Sequence, residues 1–151
     1  MTMRTSALWL VVVLVGTALL GQAGAAEPED VIKYRQGQMK ALGGHMAAMA
    51  QIVRGKVPFT ARLEGHAQAV AAGTKDLAAL FPKDSDFGET EALPEIWKKP
   101  SEFEKLAKDS DKAADALAAA VKGGDKAAIG SAFDGLGKTC KACHDDFRKK
   151  H

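Results

Sequence analysis

Apolar residues recur at alternating steps of three and four along most of this chain, the spacing that lines one face of an α-helix. From about Pro28 to Arg54, Ile32, Arg35, Met39, Leu42, Met46, Met49 and Val53 form one stripe, with Pro28 suited to a first turn and Gly55 and Pro58 marking the stop. A second helix is expected from Thr60 to Phe81, with Leu63, Ala67, Val70, Thr74, Leu77 and Phe81 inward and Pro82 ending it. A third spans about Ser101 to Lys122 on Phe103, Leu106, Ser110, Ala113, Leu117 and Ala120. Ser101 and Glu104 have the spacing of a capping box there, and Gly123-Gly124 closes the helix. A fourth begins near Asp125 and carries Ile129, Phe133, Leu136, Cys140, Cys143 and Phe147, with Arg148, Lys149 and Lys150 at its end, where the dipole favours positive charge. The fold class is therefore all-α, a four-helix bundle.

The first 25 residues read differently. A single charge at Arg4 precedes the apolar run Ala7 to Leu20, and Ala23-Gly24-Ala25 follows as a small-residue cleavage site, the layout of a secretory leader. The run is short for a membrane span and is interrupted by Gly16 and Thr17. Residues 1–25 are expected to be a cleaved signal peptide and 26–151 a single domain, large enough for one core and with no stable membrane insertion after cleavage. The export route places it outside the cytoplasm, in a bacterium in the periplasm. The whole chain has a formal charge of +2, of which Arg4 leaves with the leader. Near neutrality gives no reason to expect nucleic acid or an anionic membrane as partner.

The chemistry is concentrated in Cys140-Lys141-Ala142-Cys143-His144. A Cys-x-x-Cys-His run is the spacing of a covalent haem c attachment site. On a helix the three residues share a face, so two thiols can form thioethers to the porphyrin while the imidazole reaches the iron. Zinc usually needs a second ligand pair, and the chain has only these two cysteines and no His-x₃₋₅-His pair. A thioredoxin-like redox pair should follow a buried strand, and no strand-like segment precedes Cys140. A structural disulfide is the ordinary use of two cysteines in an exported protein, but the helical spacing and the adjacent histidine favour haem. Attachment of c-type haem outside the cytoplasm agrees with the leader. The small residues on three of the stripes would leave room for a haem within the bundle, or else simply mark close helix contacts.

Other residues stand out less sharply. Arg35 is the one charged residue on its stripe, which a haem propionate would explain; the plainer alternative is an arginine snorkelling at the bundle end. The segment from Pro82 to Pro100 is long for a connection and is expected to fold over the haem edge, with Trp97 plugging one end of the core. Met46 and Met49 read as core filling, and His45 and His66 as helix-surface histidines lying beside their stripes. No paired buried carboxylates, nucleophile–base pair or distal acid–base pair suggests an enzyme.

Lys33-Tyr34-Arg35-Gln36, Leu80-Phe81-Pro82, Thr90-Glu91-Ala92, Pro94-Glu95-Ile96-Trp97 and the block from Cys140 to Lys150 together resemble the cytochrome c′ family over the whole mature chain. The resemblance implies an antiparallel up-down-up-down bundle enclosing the haem, a topology carried over from the family. It makes Cys140 and Cys143 the thioether residues and His144 the proximal iron ligand. It places Arg35 and Gln36 near the haem and its propionates, Thr90 and Glu91 at the haem edge, and Arg148 beside the proximal imidazole. Met39 matches the position facing the vacant side of the iron. With its sulfur off the metal the haem is five-coordinate, a site suited to NO and CO; with Met39 as sixth ligand the protein is a low-spin electron carrier. The Tyr-Arg-Gln context around Arg35 favours the first. The resemblance also implies electron transfer with an unidentified redox partner protein, and a homodimer.

Overall fold

The computed structural model describes residues 26–150, and the leader expected at 1–25 lies outside them. Helix α1 runs Pro28–Val53, opening on Pro28 with Glu29 and Asp30 in its first turn, where negative charge suits the dipole. It stops where Gly55 takes a φ of 66°, a left-handed conformation that costs glycine little.

The second expected helix is broken in two. A 3-10 turn at Thr60–Arg62 leads into α2, Leu63–Thr74, which ends well short of Phe81. Lys75 turns extended and Asp76 adopts a left-handed φ of 49°, after which Leu77–Leu80 form another 3-10 turn. Aspartate tolerates this region better than most residues, and Lys75 is anchored there by Asp115 at 2.8 Å and Asp111 at 3.0 Å. Helical periodicity survives such a break because Leu77 is still buried, so the apolar pattern alone does not reveal it.

The long connection contains a short helix, α3, at Glu95–Lys98. Helix α4 covers Pro100–Gly123 and differs from expectation at its start. Pro100, pre-set to a helical φ, takes the first position, so Lys99 is the cap and the capping box of Ser101 and Glu104 does not form. Glu104 pairs with Lys108 instead, at 3.7 Å. Gly124, at φ 78°, receives the chain at its end. Helix α5, Lys126–Phe147, opens on Asp125, whose side chain accepts from the Ala128 N–H at 2.7 Å.

Helices α1, α2, α4 and α5 form the bundle, with α2 packed on α1 and α4, and α5 on α4. The core divides into two clusters. The larger joins Met49, Ile52, Leu63, Ala67, Val70, Ala114, Leu117, Ile129, Phe133 and Leu136. Full burial of a side chain such as Leu117 or Leu136 is worth about 2 kcal/mol. The smaller joins Ile96, Phe103 and Phe147 with Phe81, Trp97 and Leu106 against them. Trp97 is the expected plug: its indole N–H donates to the Pro82 carbonyl at 2.9 Å while its ring packs on Phe81. No helix among the described residues is long and apolar enough to cross a membrane.

Candidate functional site

The two clusters are linked through the haem-type motif. Cys140 packs against the larger and Cys143 against the smaller. A cavity of about 630 Å³ opens beside them, lined from α1 by Arg35, Gln36, Met39, Leu42 and Met46 and from α5 by Cys140, Cys143, His144 and Phe147. The middle of the α1 stripe is accordingly only half-buried, whereas Ile32 and Met49 on either side are fully buried. Thr90, Glu91, Ala92 and Ile96 of the long connection and Arg148 complete the wall. Every site residue singled out in the sequence therefore borders one cavity, whose size lies within the roughly 300–1,000 Å³ usual for a small-molecule or cofactor site.

Both cysteines are free and half-buried. Burial raises the Cys140 thiol and, with Cys140 and Asp146 nearby, pushes Cys143 up to about 11. A thioredoxin-like pair has the opposite property and sits at a helix N-terminus, whereas this pair lies near the C-terminal end of α5. Among the described residues no group of three or more His, Cys, Asp or Glu is placed to hold a metal ion. Burial and the neighbouring Arg148 lower the basicity of His144 against the pull of Asp145 and Glu91, favouring the neutral imidazole that can donate a lone pair.

Arg35 is 2% exposed, so it does not snorkel at the bundle end. Its guanidinium donates to Ser85 Oγ and to the Ser85 carbonyl, each at 2.7 Å, and to Thr90 Oγ1 at 3.0 Å. It also lies over the Phe81 ring at 4.9 Å. Burial lowers its pKa and Asp86 acts against that. Ser85, itself 0% exposed, donates onward to the Pro82 carbonyl at 2.8 Å, and Thr90 Oγ1 accepts from the Ala92 N–H at 3.2 Å. One buried cation thus organises the connection from Pro82 to Ala92. Ser85 is the site residue the sequence reading missed; in Lys83-Asp84-Ser85-Asp86 it looks like any polar loop residue.

The same connection is fastened to the end of α5. The Leu93 N–H donates to the Phe147 carbonyl at 2.9 Å and the Lys149 N–H to the Glu91 carbonyl at 2.8 Å, around a bridge between Ala92 and Arg148. The Arg148 Nε–H donates to Glu91 Oε2 at 2.6 Å. Gln36 Nε2 donates to the Glu89 carbonyl at 2.6 Å. Three elements distant in sequence are therefore held around one cavity by short polar contacts.

A four-helix bundle with an internal, mostly apolar cavity beside a Cys-x-x-Cys-His run is the architecture of a bundle-type c-type cytochrome. Residues 30–148 match the family model described as Cytochrome C'. A cytochrome c' from Pararhodospirillum photometricum is 43% identical over 125 residues, covering 82% of this chain and all of that protein. Among solved structures, cytochrome c prime from Shewanella frigidimarina superposes with a TM-score of 0.79 at 37% identity, covering 83% of this chain and 99% of that one. A nitric oxide complex of a variant cytochrome c prime from Alcaligenes xylosoxidans gives a TM-score of 0.76 at 32% identity, covering 83% of this chain and 98% of that one. A carbon monoxide complex of another variant from the same species aligns equally well. The chain belongs to the cytochrome c′ family, and its cofactor is covalent haem c.

Proposed function

We propose that this protein is a periplasmic electron-transfer cytochrome whose haem is five-coordinate and open to NO and CO. The observation that carries the reading is the cavity itself, where Cys140, Cys143 and His144 on α5 share one wall and Met39, Leu42 and Met46 on α1 supply another. Cys140 and Cys143 are the thioether residues and His144 is the iron ligand. Bound haem supplies an iron centre that takes up an electron or a diatomic ligand. Arg35 offers the buried positive charge that a propionate needs. Three hydrogen bonds hold its guanidinium to Ser85 and Thr90, and the residue borders the cavity in which a propionate would lie. Gln36, Thr90 and Glu91 border the same region, and Arg148, tied to Glu91, stands beside His144.

Thioether and methyl groups from Met39, Leu42 and Met46 offer no strong hydrogen-bond donor. Such a wall suits neutral diatomics whose bonding depends little on distal hydrogen bonds, and disfavours O₂ and hydrated anions. Gas binding and electron transfer, not turnover of a substrate, are the proposed activities. The NO and CO complexes of the Alcaligenes protein support the choice of ligands. The competing reading puts the Met39 sulfur on the iron, giving a low-spin carrier closed to gases, and it draws on the same placement of Met39 at the cavity.

Optical and EPR spectra of the ferric and ferrous holoprotein, with and without NO or CO, separate the two. A high-spin spectrum that shifts on adding gas is expected. Sharp low-spin bands indifferent to CO would overturn the five-coordinate reading and assign Met39 as the sixth ligand.

A further inference from the structure

His45 on α1 and His66 on α2, which read as separate surface histidines in the sequence, face each other in the structure. Their Nδ1 atoms are 2.9 Å apart and their ring centroids 5.2 Å apart, with 60° between the planes. Both side chains are half-buried, so solvent reaches the pair. Neither histidine belongs to the haem cavity.

We propose that His45 and His66 form a bidentate site for a divalent transition metal, with Cu²⁺ the ion bound most tightly. Imidazole nitrogen is a favoured ligand for the later first-row ions, and affinity along that row peaks at copper. The hydrogen-bonded spacing brings an imidazole nitrogen from each of α1 and α2 within reach of a single ion.

In the metal-free pair one Nδ1–H donates to the other Nδ1, and the long centroid separation shows the two nitrogens pointing at one another. Binding requires both lone pairs. The donor ring moves its proton from Nδ1 to Nε2 and both rings swing outward, so the neutral pair loses no proton overall. No third His, Cys, Asp or Glu completes a cluster among the described residues, so water fills the remaining positions and the metal is exchangeable. Because the two ligands come from different helices, the ion ties α1 to α2 and stabilises the native state that presents them together.

The test uses the ferric haem-loaded protein, titrated with Cu²⁺ alone. The cupric EPR signal near g 2 is read for nitrogen superhyperfine structure, affinity is measured by calorimetry, and Tm is followed with and without metal. One equivalent bound, a two-nitrogen pattern and a raised Tm are expected. His45→Ala and His66→Ala should each weaken binding at least ten-fold and abolish the Tm rise while leaving the haem spectrum unchanged. His45→Gln and His66→Gln serve as second variants should either alanine form lose its helical circular dichroism. Absence of saturable binding, a pattern other than two nitrogens in the unaltered protein, or affinity that survives in either variant would each overturn the site.

Discussion

Arg35 does more for this site than any other single residue outside the haem motif. A buried guanidinium whose partners are a serine, a threonine and a carbonyl has its charge solvated by dipoles, with Asp86 the nearby acidic group that raises its pKa. Arg35→Ala strands Ser85 and Thr90 acceptors in the interior, each worth about 1–3 kcal/mol. We expect a loss of about 3 kcal/mol in denaturant unfolding of the holoprotein, with the connection from Pro82 to Ala92 gaining hydrogen exchange first. Ser85→Ala removes the hydroxyl that accepts from Arg35 and donates to the Pro82 carbonyl but leaves the Ser85 carbonyl in place, and should cost about 2 kcal/mol by the same measurement. Met39→Leu separates the ligation readings at the same scale. It keeps the volume and removes the sulfur, so an unchanged ferric spectrum is expected from a five-coordinate haem and loss of low-spin bands from a Met-ligated one.

At the scale of elements, the approach of α1 to α2 is set partly by Gly73. A Cβ there would lie 2.7 Å from Gln38 Nε2 and 2.8 Å from Leu42 Cδ2. Both are ends of flexible side chains, so the overpacking cost of Gly73→Ala, about 1 kcal/mol, is roughly offset by alanine's helix propensity and the net change in stability should be under about 1 kcal/mol. The displaced Leu42 borders the haem cavity, and Gln38 Nε2 now donates to the Gly73 carbonyl at 3.3 Å. A small shift in the Soret band of this variant would show that the helix contact reaches the cofactor. The histidine pair belongs to this same contact between α1 and α2 and was invisible in the sequence for a physical reason. Two positions beside their stripes on different helices meet only once the crossing geometry and register of those helices exist. The stop of α2 at Thr74 was hidden in a different way. A 3-10 turn with Leu77 buried keeps nearly the same apolar spacing as a continued helix. The capping-box expectation at Ser101 failed because Pro100 claims the first helical position.

At the scale of the whole molecule, the fastening of the long connection to both α1 and α5 makes the cavity wall a cooperative unit. Glu91→Gln weakens the contact with Arg148, whose groups are each about half exposed, so its cost in stability should be under about 1 kcal/mol. The larger effect is expected on the haem: a looser loop should speed CO rebinding measured by flash photolysis. Intact mass of protein purified from the periplasmic fraction checks export, with a chain beginning at Ala26 and carrying one haem expected. A homodimer, implied by the family, is checked by sedimentation velocity of that same preparation.

By itself the sequence determined the helical class, the inward stripes and the haem-attachment run, because these depend on local spacing: a 3.6-residue period decides which side chains share a face, and Cys140, Cys143 and His144 meet within one turn. It also singled out Arg35, since one charge on an apolar stripe conflicts with burial unless something pairs with it. Tertiary structure alone decided which loop atoms satisfy that charge, how Glu91 reaches Arg148, where α2 unwinds, and that His45 meets His66. Those contacts join residues far apart in the chain, and no local period encodes them; they exist only after packed helices bring their surfaces to within hydrogen-bonding distance.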